Sequence, residues 1–362
     1  MTDFMTKNKE KLEQFAAMSQ AAGSRSDYVQ GGGGNTSVKL ADGLMAIKAS
    51  GYCLSDIRPD KAYAVLDYEA LRRFYYGNEP AQLADVEKLG SACAKENTKL
   101  IEGMDALRPS VEAGFHSILK TFVCHTHSVY ANLAACSTAC CEIAEKAFNG
   151  ADYTWGWVPY TDPGANLTFA IRDELRRVEK KTGKVPSVIL MQNHGIIVHD
   201  DDAERCLAIH ADANERLAQQ FGIHGDSFPA ISVRQTGEEL YEADTPYLRE
   251  ALKNCRYDYK TFIETPLYPD QMVFLIGTFF MDKEGTPAEG ECYADTKTGA
   301  LVLHMGEKKA KTIAETLTAV IFIMDTVAKM GYTVSTMGEA AKSFIANWES
   351  EKYRKSLAGK KG

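Results

Sequence analysis

Residues 122–129 read FVCHTHSV. An apolar run ends there in two histidines one residue apart. Successive side chains on a β-strand point to opposite faces, so His125 and His127 share a face and Thr126 turns away. Two imidazoles that reach one point suit a metal ion, because histidine is the commonest metal ligand. They suit two hydrogen-bonded histidines at a strand end as well, and the pair alone does not choose between the two.

A second apolar run, VPSVILMQNHGIIV at residues 185–198, reads as a buried strand, a turn at Asn193–Gly195 and another strand. His194 sits at that turn, where strand ends meet loops and sites usually lie. It is the best third ligand, since three histidines leave a tetrahedral ion one open position; a plain turn histidine is the alternative. His116, His199 and His210 rank lower as ligands, and nothing around His224 or His304 favours them. Glu112 opens a short helix upstream of the pair. A carboxylate beside a metal is a natural general acid or base once its pKa is tuned, although first-turn glutamates more commonly just complement the helix dipole. GGGGNTS at residues 31–37 offers backbone N–H groups and small polar side chains for an anion-binding nest, or else a linker. It matches neither the GxGxxG nor the phosphate-loop lysine pattern, so no nucleotide site is read there. Ser50, Gly51 and Ser110 could add donors.

The chain has 362 residues, enough for one large domain and a smaller one. Hydrophobic residues make up 45% and charged residues 25%, a balance that supports a sizeable core. A formal charge of -8 without a basic stripe argues against nucleic acid as a partner, but leaves phosphorylated small molecules open, because a local pocket can be cationic. No apolar run approaches the roughly 18–20 residues that span a bilayer, so no membrane partner is expected. The opening MTDFMTKNKEKLEQF is polar and amphipathic rather than signal-like. The nine cysteines lack paired spacing, and reduced thiols in a cytoplasmic protein are expected.

Along the chain, a helix is expected over residues 8–23 and a hairpin over 31–51 with its turn at ADG. A strand at 62–67 and a helix at 68–77 follow. Residues 110–120 read as a short helix, 129–146 as one helix, 155–167 as a Pro/Gly loop, and 167–183 and 202–222 as helices. The pattern breaks between Ile223 and Ile231, which divides the chain into a unit at 1–225 and an appended α+β region at 226–362. In the latter, strands are expected within 271–282 and 300–305, helices at 308–329 and 338–349, and a frayed basic tail at 351–362. The fold class is α/β, in layers.

Taken in order, GGGGNTSVK (31–39), ASG (49–51), RPSVEAGFH (108–116), CHTHS (124–128), VPYTDPGANL (158–167) and MQNHGIIV (191–198) resemble the class II aldolase/adducin family over roughly Tyr28 to Phe221. GGGNTSVK looks closest to the aldolase part of the bifunctional rhamnulose-phosphate aldolase/dehydrogenase proteins. No dinucleotide fingerprint matches their dehydrogenase half, and none is expected. The resemblance implies a central, mostly antiparallel sheet between helix layers and a homo-oligomer, usually a tetramer. It implies a divalent ion, commonly Zn2+, on His125, His127 and His194, and a catalytic carboxylate at Glu112. It implies a substrate phosphate held by Gly34, Asn35, Ser50, Gly51 and Ser110. The family also borrows a tyrosine from a neighbouring subunit as proton donor, for which Tyr153 and Tyr160 are candidates. One departure is Val111, where many sugar-phosphate aldolases carry a second hydroxyl. A lost hydrogen bond to a charged group costs on the order of 1.5–3 kcal/mol.

The implied reaction is reversible cleavage of a ketose 1-phosphate into dihydroxyacetone phosphate and an aldehyde. The same parts support sugar-phosphate epimerisation, dehydration and decarboxylation. An adducin-like interaction module without catalysis is the reading from another class. Adducin heads lack the complete metal set, whereas the three histidines and Glu112 stand here in order.

Overall fold

The computed structural model describes residues 3–347. The basic tail expected at 351–362 and the last two residues of the helix expected at 338–349 lie outside the described residues. Eight strands form one sheet in the order β4-β3-β2-β1-β5-β8-β7-β6. These are β1 (Asn35–Lys39), β2 (Leu44–Lys48), β3 (Tyr63–Asp67), β4 (Thr98–Lys99), β5 (Phe122–Thr126), β6 (Trp155–Val158), β7 (Val188–Met191) and β8 (Gly195–Asp200). Every pairing is antiparallel except β6 with β7, which matches the expected mostly antiparallel centre.

Both faces of the middle strands are covered, and side chains alternate between two cores. Phe122, Cys124, Val188, Leu190, Ile196 and Val198 face one core, which includes Leu12 and Phe15 of the helix Lys9–Gly23 and Ile209 of the helix Ala203–Gln219. Val123, Ile189, Met191 and Ile197 face the other, with Phe115, Leu167 and Phe169. His125 therefore shares the face of Val123, and Thr126 points to the opposite side, where its Oγ1 lies 2.7 Å from His210 Nε2.

A second sheet is built from β9 (Val233–Gly237), β10 (Leu240–Ala243), β11 (Phe279–Met281), β12 (Cys292–Ala294) and β13 (Leu301–His304), in the order β11-β12-β13-β10-β9. The helix Glu307–Lys329 follows and packs on the helix Val129–Ala135. The first core continues into this region through Phe262, Tyr268, Phe279, Leu317 and Val327.

Three local expectations change. Within 271–282 only Phe279–Met281 is a strand; Pro269–Phe274 is a helix that proline opens at its first position. The expected helix at 129–146 is two, Val129–Ala135 and Cys140–Ala147. The break is held from outside: Thr138 N–H donates to Thr333 O at 3.0 Å, and Ser137 bridges to Val334. Trp155–Val158, expected as loop, is the edge strand β6. All nine cysteines are free thiols. Among the described residues, no helix is long and apolar enough to cross a membrane.

Candidate metal centre

Strand register brings the first pieces together. Asn35 on β1 lies directly across from His125 on β5, and Thr126 lies across from Ile196 on β8. His127 follows the end of β5, and His194 occupies the β7–β8 turn. Asn193 holds that turn at φ 50, a left-handed conformation that asparagine tolerates. Its Nδ2 donates to Leu267 O and Ser335 O, both at 2.8 Å. The neighbouring Gly195 is obligatory for space, since a Cβ there would stand 2.3 Å from Thr126 O. The result gathers one ring nitrogen from each of His125, His127 and His194 within 4.8 Å of one another, all three residues buried.

The hydrogen bonds assign the tautomers. His125 Nδ1 donates to Ile196 O at 3.0 Å. His127 Nδ1 donates to the Asp270 carboxylate at 2.5 Å. Each ring thus turns its Nε2 toward the cluster, where the two Nε2 atoms lie 3.2 Å apart. Glu112 completes the cluster, with Oε2 3.6 Å from His125 Nε2 and Oε1 3.3 Å from His194 Nε2. Among the described residues, Oε1 is buried and meets no hydrogen-bond donor. Ring nitrogens from three chain segments turned toward one buried carboxylate are a ready-made set of donors for a cation. The donor set therefore fits a divalent metal.

The charge states agree. Burial, opposed by Glu112 and reinforced by the other two histidines, pushes His125 down to about 3, so the ring is neutral, the form that ligates. Burial would raise the Glu112 carboxyl, but the adjoining histidines, His125 foremost, outweigh it and hold the group well below the usual carboxylate range.

Glu112 is positioned by a chain of side chains. Ser37 Oγ lies 2.7 Å from His116 Nδ1, His116 Nε2–H donates to Asn35 Oδ1, and Asn35 Nδ2 donates to Glu112 Oε2 at 2.5 Å and to Ser110 Oγ at 3.0 Å. Both nitrogens of His116 are engaged, and burial holds its pKa well below the ordinary value, so it acts as an orienting group and not as a ligand. Asn132, fully buried on the helix Val129–Ala135, donates to the carbonyls of His127 at 3.5 Å and His194 at 3.4 Å and ties the two ligand segments together.

The five residues expected at a substrate phosphate lie close by. Gly34 precedes Asn35 with φ +63 and packs on His125 O. Ala49 bridges Pro109, and Ser50 N–H donates to Arg108 O at 2.9 Å, which places Ser50 and the exposed Gly51 beside Ser110. The first glycine of the run meets an anion from the chain itself, since Gly31 N–H donates to Glu315 Oε2 at 3.1 Å. The two tyrosine candidates are engaged elsewhere. Tyr153 OH donates to Asp212 at 2.8 Å and Tyr160 OH to Asp162 at 3.2 Å. The described tyrosine whose ring lies against a ligand is Tyr268, 6.3 Å from His127 between ring centroids.

His116, Ser37, Asn132 and Asp270 were not singled out from the sequence as site residues. Two of them carried a readable signal: His116 is four residues after Glu112, on the same helical face, and Ser37 is two after Asn35, on the same strand face. Asp270 carried none.

No curated protein matches the chain. Solved structures do. The N-terminal class II aldolase domain of a conserved protein from Thermoplasma acidophilum aligns at 20% identity and a TM-score of 0.47, over 57% of this chain and 92% of that one. A sugar-phosphate aldolase from Thermotoga maritima aligns at 14% identity and 0.38, over 58% and 94%. An L-fuculose 1-phosphate aldolase from Glaciozyma antarctica PI12 aligns at 12% identity and 0.38, over 61% and 76%. Residues 13–221 match the family described as Class II Aldolase and Adducin N-terminal domain. That span is more than half of the chain and contains Glu112 and the three clustered histidines, and the chain belongs to the class II aldolase and adducin N-terminal domain family.

Proposed function

We propose that this chain is a metal-dependent carbon–carbon lyase that cleaves a ketose 1-phosphate of the rhamnulose-1-phosphate kind into dihydroxyacetone phosphate and an aldehyde. The observation that carries the reading is the gathering of one ring nitrogen from each of three buried histidines within 4.8 Å of one another, beside Glu112. His125, His127 and His194 would hold the ion, zinc or another divalent metal. When bound, such a cation supplies Lewis-acid stabilisation of the oxyanion that develops next to the breaking bond.

The protein's own side chains do the rest. Glu112, ionised and aimed by Asn35, moves the proton at the carbon that becomes nucleophilic. Asn35 commits its whole amide to Glu112, Ser110 and His116. Its share in holding phosphate would come through its backbone, with Gly34, Ser50, Gly51 and Ser110 supplying the remaining donors. Burial of the cluster excludes water, which strengthens each of these electrostatic contacts. The same reading takes residues 1–225 as the catalytic unit and the chain as a homo-oligomer, a tetramer in the family pattern.

The test is metal analysis followed by a screen of ketose 1-phosphates with carbonyl trapping. About one divalent ion per chain and two trapped carbonyl products are expected, and His125→Ala should abolish the metal. Full occupancy in that variant rejects the ligand assignment. An epimer or carbon dioxide as product would leave the metal centre in place and replace the cleavage.

A further inference from the structure

Asp270 lies outside the 13–221 span of the family match, yet its carboxylate reaches into the metal cluster. We propose that Asp270 is a positioning residue of the metal centre, which makes the C-terminal region a working part of the site. The inference rests on the metal reading above.

The contact is built on both sides. Asp270 is fully buried at the start of the helix Pro269–Phe274, and its Oδ2 accepts the Nδ1 proton of His127 at 2.5 Å. The helix start is anchored by Gln271, also fully buried, whose Oε1 accepts from Leu267 N–H and whose Nε2 donates to Phe262 O, each at 2.8 Å. Tyr268 packs its ring against His127 and points its hydroxyl at Gln30 Oε1, 3.4 Å away. Opposite, Gly33 leaves the opening through which the two groups meet. A Cβ there would stand 2.3 Å from Asp270 Oδ2 and 3.0 Å from His127 Nδ1. This gives the glycine run a packing reason of its own: it admits the C-terminal carboxylate.

The chemistry follows from the tautomer. An imidazole that donates Nδ1–H to a carboxylate must present Nε2 as its lone pair, and the negative partner makes that nitrogen more basic. Among the three ligands, His125 is oriented by a main-chain carbonyl, whereas His127 is oriented by a charged group from 143 residues away. Outer partners of this kind are worth about 10- to 100-fold in metal affinity.

The experiment compares the full-length protein with Asp270→Asn and Gly33→Ala. Each is stripped of metal, checked for fold by far-UV circular dichroism, and titrated with Zn2+ against a chromophoric chelator and with Co2+ for its d–d absorption. Wild type should bind tightly. Asp270→Asn should bind about 10- to 100-fold more weakly with an altered Co2+ spectrum. Gly33→Ala, which keeps the carboxylate but pushes on the contact, should shift both readouts the same way. Should Asp270→Asn fail to fold, Gly33→Ala decides. Unchanged affinity and spectrum in the folded variants overturn the role of Asp270 and leave the metal centre standing. A wild type that binds no metal overturns both.

Discussion

Acidifying the metal-free protein from about pH 7.5 to about pH 5.5 should cost it about 3 kcal/mol of stability through two histidines that are not ligands. His199 lies on β8 opposite Val123, and its Nδ1 accepts Lys120 N–H at 3.4 Å. His210 lies on the helix behind β5, against Thr126 and the edge of the Tyr28 ring. Both are almost wholly buried. Burial first, then Lys120 for His199 and Arg25 for His210, pushes each down to about 3. The unfolded chain titrates its histidines near 6.5. Above that value both states are neutral and the contribution to stability is fully present. Between 6.5 and 3 the unfolded chain takes up a proton that the folded one refuses, so stability falls with pH by about 1.4 kcal/mol per unit for each group. One unit below 6.5 the pair therefore loses about 3 kcal/mol, a large part of an ordinary margin of about 5–15. His125, also at about 3, adds loss in the same direction when no metal is present. Urea unfolding with chelator at three pH values measures the slope, and His210→Gln isolates one group, since glutamine can still bond Thr126. That variant should lose about 1.4 kcal/mol less than wild type between pH 7.5 and 5.5. An identical slope in the two proteins would refute the assignment.

Glu112→Gln should keep the metal, because Asn35 can still donate to the amide oxygen. It should slow proton exchange on dihydroxyacetone phosphate about 100- to 10,000-fold, as followed by deuterium uptake; unchanged exchange removes Glu112 from the mechanism. Asn35→Ala should lower kcat through the misplaced Glu112 by more than it raises KM. A change confined to KM for phosphorylated substrates would instead make Asn35 a phosphate ligand. Lys39→Met should cost about 3 kcal/mol in urea unfolding, since the buried Nζ donates to the carbonyls of His116, Leu119 and Lys120 at 2.6–2.9 Å and the apolar replacement leaves those of His116 and Lys120 bare, Leu119 O keeping only Arg72 at 3.2 Å. A shift of only a few tenths would show that water takes over those carbonyls.

The strands around the cluster were legible because each announces itself locally. The runs at Phe122–Thr126 and Val188–Asp200 are apolar on both faces, as strands buried between two helix layers must be. The elements that misled were decided elsewhere. QMVF within residues 271–282 is apolar enough for a strand, and only Pro269 at a helix start tips it the other way. The break after Ala135 exists because the segment around Thr333 and Val334 pairs with Ser137 and Thr138, nearly 200 residues away in sequence. The edge strand at Trp155–Val158 merges in sequence with the Pro/Gly loop after it and gains its ladder only from β7.

The site divides along the same line. Ligand atoms are local: a His-x-His at a strand end and a histidine at a tight turn are readable because backbone geometry alone aims them. Which nitrogen each histidine offers is not local, because the proton on the far side of the ring is fixed by whatever lies beyond it. For His125 that partner is a neighbouring strand's carbonyl, implied once the sheet is known. For His127 it is Asp270, on a helix that follows the family span and leaves no mark near the ligand except a glycine, Gly33, that must remain without a side chain. The region that orients His127 sets its Nε2 3.2 Å from that of His125, at the point where the ion would be held. Metal loading and docking of the C-terminal region should therefore be coupled: added Zn2+ ought to slow proteolysis after residue 225 in wild type and do so less in Asp270→Asn. Equal protection in the two proteins would mean that the docked region holds itself in place without reference to the ion.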